Sequence, residues 1–233
     1  TANEQDGVFA VGLEALRQID TELAMKVRHI SHGLLKLPSG KMSSRKGNIL
    51  SADELITDVR KLVEEKIKDR NYDKALQKEI IEKVSIGAIK YSILRHTVGG
   101  DIIYDFEKSI SFEGDSGPYL QYSYARAKSV LEKAKEEGIK PSVGKIIPET
   151  TELEKLLYRF PEIVERAGNE YSPHYIANYL IELAGSFNGF YSKHKIVDKE
   201  DETSSYKVAL TTAFATTMKN GLNLLGIQVP ERM

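Results

Sequence analysis

Residues 114–126 have the sequence Gly-Asp-Ser-Gly-Pro-Tyr-Leu-Gln-Tyr-Ser-Tyr-Ala-Arg, which predicts the start of a long helix. Pro118 suits the first helical turn, because the N–H that proline lacks has no partner there. Tyr119, Tyr122 and Arg126 follow at spacings of three and four residues, so their side chains emerge along one helix face. The stretch therefore predicts a helix that presents two aromatic rings and one guanidinium together.

Helical periodicity extends on both sides of this stretch. Ser51 and Glu54 form a capping-box pattern, which marks a helix start. We expect Gly138 and Gly226 to end two helices in the left-handed conformation. Apolar stripes with helical spacing occur over residues 55–63, 80–91, 153–160, 176–191 and 210–225. Amphipathic helices joined by short loops predict a mainly α protein, a helical bundle.

Some positions in this bundle carry specific expectations. Pro161 is expected to kink or restart its helix, because it lacks an N–H and clashes with the preceding turn. His174 is interpreted as a surface or boundary residue, and Asn188 as a packing and hydrogen-bonding residue. One helix is expected to turn inward the side chains of Ile176, Leu180, Leu183, Phe187 and Tyr191.

The first 50 residues have a different pattern. Residues 8–23 carry a helical stripe, whereas residues 27–37 are short, partly alternating and interrupted by Gly33, as in a strand or hairpin. One helix and one or two strands cannot cover an apolar sheet face, so we interpret this segment as the small α/β remnant of a larger domain. Further along, Gly99 and Gly100 predict a chain reversal, and the acids of residues 101–105 are expected to be solvated.

Composition indicates a soluble globular protein. The 233 residues are 41% apolar, and neither a run of 18 apolar residues nor a signal-peptide pattern is present, so we expect a cytoplasmic protein without a membrane span. The sequence has no cysteine, and its five histidines form no i,i+4 pair, so no metal site is expected. The net charge of -1 argues against nonspecific nucleic-acid binding, and any RNA contact must be local.

Residues 41–47, Lys-Met-Ser-Ser-Arg-Lys-Gly, place three cations and two hydroxyls on one predicted loop. Cationic side chains neutralise phosphate oxygens, hydroxyls add hydrogen bonds, and Gly40 and Gly47 let the backbone close around a ligand. The loop is typical of a phosphate-binding site. A solvated basic turn is the alternative interpretation.

The run Lys41–Arg45 resembles the nucleotide-binding signature loop of class I aminoacyl-tRNA synthetases, and residues 40–50 resemble the arginyl form of it. Residues 111–126 resemble the opening of the anticodon-binding domain of arginyl-tRNA synthetases, and residues 219–233 resemble their C-terminus. The three blocks occur in order and span nearly the whole chain. The resemblance implies a C-terminal fragment of such an enzyme, in which residues 1–50 are the end of a Rossmann-like catalytic domain, residues 51–110 are connecting helices and residues 111–233 are the anticodon-binding domain.

The same resemblance implies a function for the loop. The intact enzyme would join arginine to its tRNA with ATP and Mg2+, and the loop residues that bind ATP would be Lys41, Met42, Ser43, Ser44 and Arg45. Lys41, Ser43 and Ser44 would be catalytic. Ser44 stands where the fullest form of the motif has a second lysine, and the roles of Arg45 and Lys46 are left open. Because the histidine-rich element of these enzymes has no counterpart here, we expect the isolated chain to be inactive and to hold no cofactor.

The resemblance also implies that Tyr119, Tyr122, Arg126 and Met233 form the pocket for the middle cytosine of the anticodon. The partners would be tRNA, arginine and ATP, and the protein would be a monomer. The alternative for Tyr119 and Tyr122 is ordinary core packing, and the alternative for Met233 is a frayed end. Two rival functions remain at this point, a cysteinyl or methionyl synthetase and a helical scaffold that binds proteins and no RNA.

Overall fold

The computed structural model describes residues 1–36, residue 38 and residues 51–233. In these residues the structure is mostly helical, as predicted. Two short strands are present, β1 (Leu35–Lys36) and β2 (Ile102–Ile103). The helices are α1 (Asp6–Ile19), α2 (Thr21–Lys26), α3 (Ala52–Ile67), α4 (Lys74–Leu94), α5 (Phe106–Ser109), α6 (Gly117–Glu136), α7 (Glu152–Asn169), α8 (His174–Lys193) and α9 (Ser204–Leu224).

The chain forms two compact units. The N-terminal unit holds the described residues of the first 50 together with His96–Asp105. The helical unit holds Ser51–Arg95 and Phe106–Met233, and therefore contains α3 to α9 apart from the short excursion that carries β2.

The N-terminal unit is organised around a short parallel strand pair. Leu35 pairs with Ile102 and Lys36 with Ile103. Asp101 holds the start of this pair, because its carboxylate accepts a hydrogen bond from the Leu34 N–H at 2.9 Å and forms an ion pair with Lys36. Of the strand or hairpin predicted over residues 27–37, the strand is present as β1, but it pairs with β2 and not with a neighbouring strand of a hairpin. Asp101 is exposed, as expected, and in addition it bonds to this strand pair. Leu35 and its strand partner Ile102 are 67 positions apart along the chain, and no local pattern signals such a pairing.

The core of the helical unit lies among α6, α7, α8 and α9. The rings of Phe187 and Phe214 stack at a centroid distance of 3.9 Å, and Leu183 and Met218 are fully buried.

The capping box predicted from the sequence at the start of α3 is present. The Glu54 N–H donates to the Ser51 hydroxyl at 3.2 Å and the Ser51 N–H donates to the Glu54 carboxylate at 2.8 Å, which completes the predicted capping box.

Both predicted helix stops are confirmed, because Gly138 and Gly226 have φ angles of 75° and 67°. A non-glycine residue would place its Cβ too close to the following carbonyl in this left-handed region. Gly138 follows α6 and Gly226 follows α9, where the chain leaves the helix and runs toward its end.

A close approach between α4 and α6 fixes the position of the α6 N-terminus. A Cβ on Gly117 would lie 2.5 Å from the carbonyl oxygen of Gly87, so only glycine fits at this crossing. The fully buried side chain of Gln121 strengthens it, because its amide donates to the carbonyl oxygens of Lys83 at 2.9 Å and Gln228 at 2.7 Å. The first turns of α6 are therefore held against α4 and against the C-terminal segment.

Some details of the bundle differ from the prediction. α7 continues through Pro161, so of the two predicted outcomes the restart is wrong, whereas the kink stays a prediction. Pro161 is exposed, and water can therefore satisfy the carbonyl that loses its intrahelical donor. His174 is buried, with 9% of its surface exposed, rather than a surface residue. Tyr191 is 43% exposed and not inward, although its neighbour Phe190 in the last turn of α8 is buried in the core.

Among the described helices, none has both the length and the apolar character that a bilayer crossing requires.

Candidate nucleic-acid interface

The predicted ATP-loop residues Lys41, Met42, Ser43, Ser44 and Arg45 lie outside the described residues. Their geometry therefore contributes nothing to the site described below. The predicted residues that the structure does describe are Tyr119, Tyr122 and Arg126 on α6 and Met233 at the end of the chain.

These four residues line one cavity of about 350 Å³ in the helical unit. Each of them is half-buried, so the rings are neither in the solvent-free core nor fully exposed. The volume is near the lower end of the range of about 300 to 1,000 Å³ that is typical of small-molecule sites. Other elements supply the remaining walls of the cavity, with Lys66, Ile67, Arg70, Tyr72, Ile80, Phe112 and Glu113.

The guanidinium of Arg126 is held by two rings and one amide. Its central carbon lies 4.8 Å from the ring centroid of Tyr122 and 5.2 Å from that of Tyr191, within the range of cation–π contacts. Its Nη1 donates to the Asn188 Oδ1 at 2.6 Å. A guanidinium has five N–H donors, so donors remain for a ligand in the cavity.

Asn188 on α8 organises the α6 face of the cavity. While its Oδ1 accepts from Arg126, its Nδ2 donates to the hydroxyl of Tyr119 at 2.9 Å and to that of Ser123 at 3.0 Å. One amide thus fixes both the guanidinium and the Tyr119 ring. The predicted hydrogen-bonding role of Asn188 agrees with these contacts, whereas its connection to the cavity was not foreseen because α6 and α8 are distant in sequence.

The C-terminal segment that carries Met233 is ordered by contacts with α4 and α6. Ile227 and Val229 are buried, and the carbonyl oxygen of Val229 accepts from the Lys83 ammonium at 3.2 Å. Nearer the end, the Glu231 carboxylate accepts from the Tyr124 hydroxyl at 3.2 Å. Met233 therefore reaches the cavity as the end of an anchored segment and not as a frayed terminus.

The anchor at Glu231 is stable around neutral pH. Burial alone would raise the pKa of the Glu231 carboxyl, but its hydrogen bond and ion pair with Lys128, at 3.3 Å, bring that pKa below its usual value. Burial, together with the nearby Glu231 charge, raises the pKa of the Tyr124 hydroxyl to about 12. At neutral pH a protonated tyrosine therefore donates to an ionised glutamate.

The loop before α6, which supplies Phe112 and Glu113 to the cavity, is tied to α4. Asp115 accepts a hydrogen bond from the Tyr91 hydroxyl and forms an ion pair with Arg95. Burial, with the hydrogen bond to Asp115, raises the pKa of the Tyr91 hydroxyl far above its ordinary value. The loop is therefore held by charge-assisted contacts on α4 just before the helix begins.

The arrangement suits one flat, polar ligand. The residues that line the cavity include two tyrosines, Tyr119 and Tyr122, together with Arg126, which keeps unused N–H donors, and Glu113, whose side chain is a hydrogen-bond acceptor. Unstacked bases in RNA loops are bound by such combinations of aromatic faces and hydrogen-bonding groups. The cavity is therefore a candidate site for a single nucleobase.

Two protein-family models together match most of the chain. Residues 2–106 match the family described as tRNA synthetases class I (R), catalytic domain, and residues 120–233 match the DALR anticodon binding domain. The arginine–tRNA ligase of Flavobacterium psychrophilum is 36% identical over 236 residues, which cover 99% of this chain and 39% of that protein. The chain belongs to the arginyl-tRNA synthetase family. It spans about two fifths of the length of the curated relatives that it matches.

Other members of the arginyl-tRNA synthetase family agree in sequence and fold. The arginine–tRNA ligase of Pyrococcus furiosus is 35% identical over 227 residues, which cover 91% of this chain and 36% of that protein. The solved Thermus thermophilus arginyl-tRNA synthetase has a TM-score of 0.77 at 30% identity and covers 91% of this chain and 36% of that one. The Plasmodium falciparum arginyl-tRNA synthetase, with a TM-score of 0.75 at 18% identity, shows the fold alone and covers 100% of this chain and 40% of that one.

Family membership confirms the predicted resemblance and sets aside the cysteinyl and methionyl rivals. The two family matches also meet at the cavity. Tyr122, Arg126 and Met233 lie in the part that matches the anticodon binding domain, whereas Lys66 and Arg70 lie in the part that matches the arginyl-tRNA synthetase catalytic domain. The pattern of apolar residues did not predict that Lys66 and Arg70 line the cavity, because exposed cations at or just after a helix end normally face solvent.

Proposed function

We propose that the protein takes part in the ATP-dependent attachment of arginine to its tRNA, and that the cavity on α6 binds the middle cytosine of the anticodon. The relatives described as arginine–tRNA ligases support the reaction. The observation that carries the binding site is the convergence of Tyr119, Tyr122, Arg126 and Met233 on one cavity. Three of these residues lie on α6, spread over about two helical turns, and the fourth comes from the end of the chain.

Cytosine fits the chemistry of the cavity better than uracil does. Cytosine presents two acceptors, O2 and N3, beside the donor N4 amino group, and a carboxylate is the acceptor that commonly pairs with N4. Arg126 would donate to O2 and N3, and Glu113 would accept from N4. Uracil places a carbonyl oxygen where cytosine has its amino group, so Glu113 would repel it.

The ATP loop would have a role separate from that of the base cavity. Lys41 and Arg45 would neutralise phosphate oxygens of ATP, while the hydroxyls of Ser43 and Ser44 and the backbone at Met42 would add hydrogen bonds. Mg2+ would accompany the phosphates, but the described residues include no group of three or more His, Cys, Asp or Glu that could hold a metal, so we assign no step to it. The cytoplasmic location and the monomeric state stay predictions.

Removal of Arg232 and Met233 tests the base pocket. We expect the shortened chain to bind an anticodon stem-loop about ten-fold more weakly, because Met233 closes one side of the cavity. Its unfolding temperature should not change, since the buried residues of the segment, Ile227 and Val229, remain. The measurement is a fluorescence titration with a labelled stem-loop beside a thermal unfolding curve.

The matched control is Arg232→Ala, which keeps Met233. Arg232 is exposed and pairs only weakly with Glu132, at 3.6 Å, so this variant should bind nearly as the parent does. Equal binding by the shortened chain and the parent would show that Met233 takes no part in the pocket. Absence of RNA binding by the parent itself would favour the protein-binding scaffold.

A further inference from the structure

One wall of the base cavity is formed by the end of α3 and the turn that follows it. Lys66 lies in the last turn of α3, and Arg70 and Tyr72 lie between α3 and α4. All three line the same cavity as Tyr119 and Arg126. The cations of this wall differ from Arg126 on the α6 face, whose guanidinium is held in place by Asn188 and two rings.

The two cations of this wall are available to bind an anion. Both Lys66 and Arg70 are exposed, and among residues 51–233 neither forms an ion pair. Their neighbours on α3 behave differently, since Lys61 pairs with Asp58 at 3.2 Å and Lys68 pairs with Glu65 at 3.7 Å. The cations at the cavity are thus the ones that remain available for an anionic ligand.

A base that enters the cavity brings its own negative charge. Each nucleotide carries a phosphate on both sides of its sugar, and these phosphates stay near the mouth when the base is inserted. The chain has a net charge of -1, so its overall charge supplies no attraction for RNA, and the attraction must come from local cations. An arginine can bind phosphate oxygens through two N–H donors, and a lysine can follow a phosphate on its flexible stem.

We propose that Lys66 and Arg70 bind the backbone phosphates that flank the inserted anticodon base, an inference that rests on the proposed function. They supply affinity without reading the base, whereas Arg126 and Glu113 read it. The site is thereby divided into a phosphate-binding wall at the end of α3 and in the turn after it, and a base-reading wall on α6.

A purely structural role for Lys66 makes a different prediction. A cation in the last turn of a helix interacts favourably with the negative end of the helix dipole, and Lys66 occupies such a position. Lys68 lies at the same helix end, yet it is paired with Glu65 and does not line the cavity. Comparison of the two positions therefore separates phosphate binding from helix stabilisation.

The test compares two double variants that remove the same charge. K66A/R70A removes the cations of the cavity wall, and K61A/K68A removes two paired cations from the same helix and its end. Binding of an anticodon stem-loop is titrated from about 50 to about 300 mM salt, and the slope of log affinity against log salt is measured. Thermal unfolding of both variants confirms that they fold.

For K66A/R70A we expect the magnitude of this negative slope to decrease by roughly 1.4, about 0.7 for each phosphate contact to a single strand that is lost. The preference for the middle cytosine over uracil should be retained. For K61A/K68A we expect the parental slope. Equal slopes in the two variants, whether both parental or both reduced, would overturn the inference but leave the base pocket intact. If the parent bound the stem-loop without preferring cytosine, the proposed function would fail first and this inference would fail with it.

Discussion

Arg126→Ala is expected to weaken binding of the anticodon stem-loop by about 100-fold, which is about 3 kcal/mol. The substitution removes the donors that the base would accept from. It also removes the cation between the rings of Tyr122 and Tyr191 and leaves the Asn188 Oδ1 without its 2.6 Å partner. The dissociation constant is measured by titration at a fixed salt concentration, because phosphate contacts make affinity depend on salt.

Two further variants show whether the effect belongs to this site. Arg126→Lys keeps the charge but loses the planar fork and the stacking, so we expect a loss intermediate between the parent and the alanine variant. Arg159→Ala removes an exposed arginine from α7, which does not line the cavity, and should change affinity by less than about two-fold. Similar losses for Arg126→Ala and Arg159→Ala would mean that overall charge, and not the pocket, governs binding.

Gly117→Ala is expected to reduce the free energy of unfolding by about 2 to 3 kcal/mol. The new Cβ would lie 2.5 Å from the Gly87 carbonyl oxygen and 2.8 Å from the Gly87 carbonyl carbon, and both are backbone atoms that cannot rotate away. α4 and α6 would have to separate, which also strains the buried Gln121 hydrogen bonds. Chemical denaturation measures the loss.

Gly185→Ala on α8 is the matched control. A Cβ at Gly185 meets no atom within 4 Å, and Gly185 lies inside a helix, so alanine there should stabilise the protein by up to about 1 kcal/mol. Opposite signs for the two substitutions are the expected result. A neutral Gly117→Ala would show that α4 and α6 do not approach so closely in solution.

The features that followed from sequence are those fixed by nearby residues. The Ser51–Glu54 capping box and the left-handed glycines at 138 and 226 depend on a few adjacent positions, and all are present. The common face of Tyr119, Tyr122 and Arg126 is a consequence of helical geometry alone. Sequence spacing could not have placed Met233 beside them, and only the resemblance to a known family predicted it.

The features that the sequence did not predict depend on contacts between segments that are distant along the chain. The strand at 102–103 exists only because Leu35 and Lys36 pair with it, and the glycine contact between α4 and α6 joins residues 30 positions apart. Tyr191 continues the apolar period of α8, but its ring is 43% exposed and contacts Arg126 of α6 instead of the core. Lys66 and Arg70 were missed for the same reason, since nothing in the sequence of α3 and the turn after it shows which cations line the cavity with α6.

The most direct test of the base pocket is a titration of the parent chain with two anticodon stem-loops that differ only at the middle base. With cytosine at that position we predict binding at least about ten-fold tighter than with uracil, because the cavity combines the donors of Arg126 with the acceptor of Glu113. Equal affinity for the two stem-loops would contradict the account.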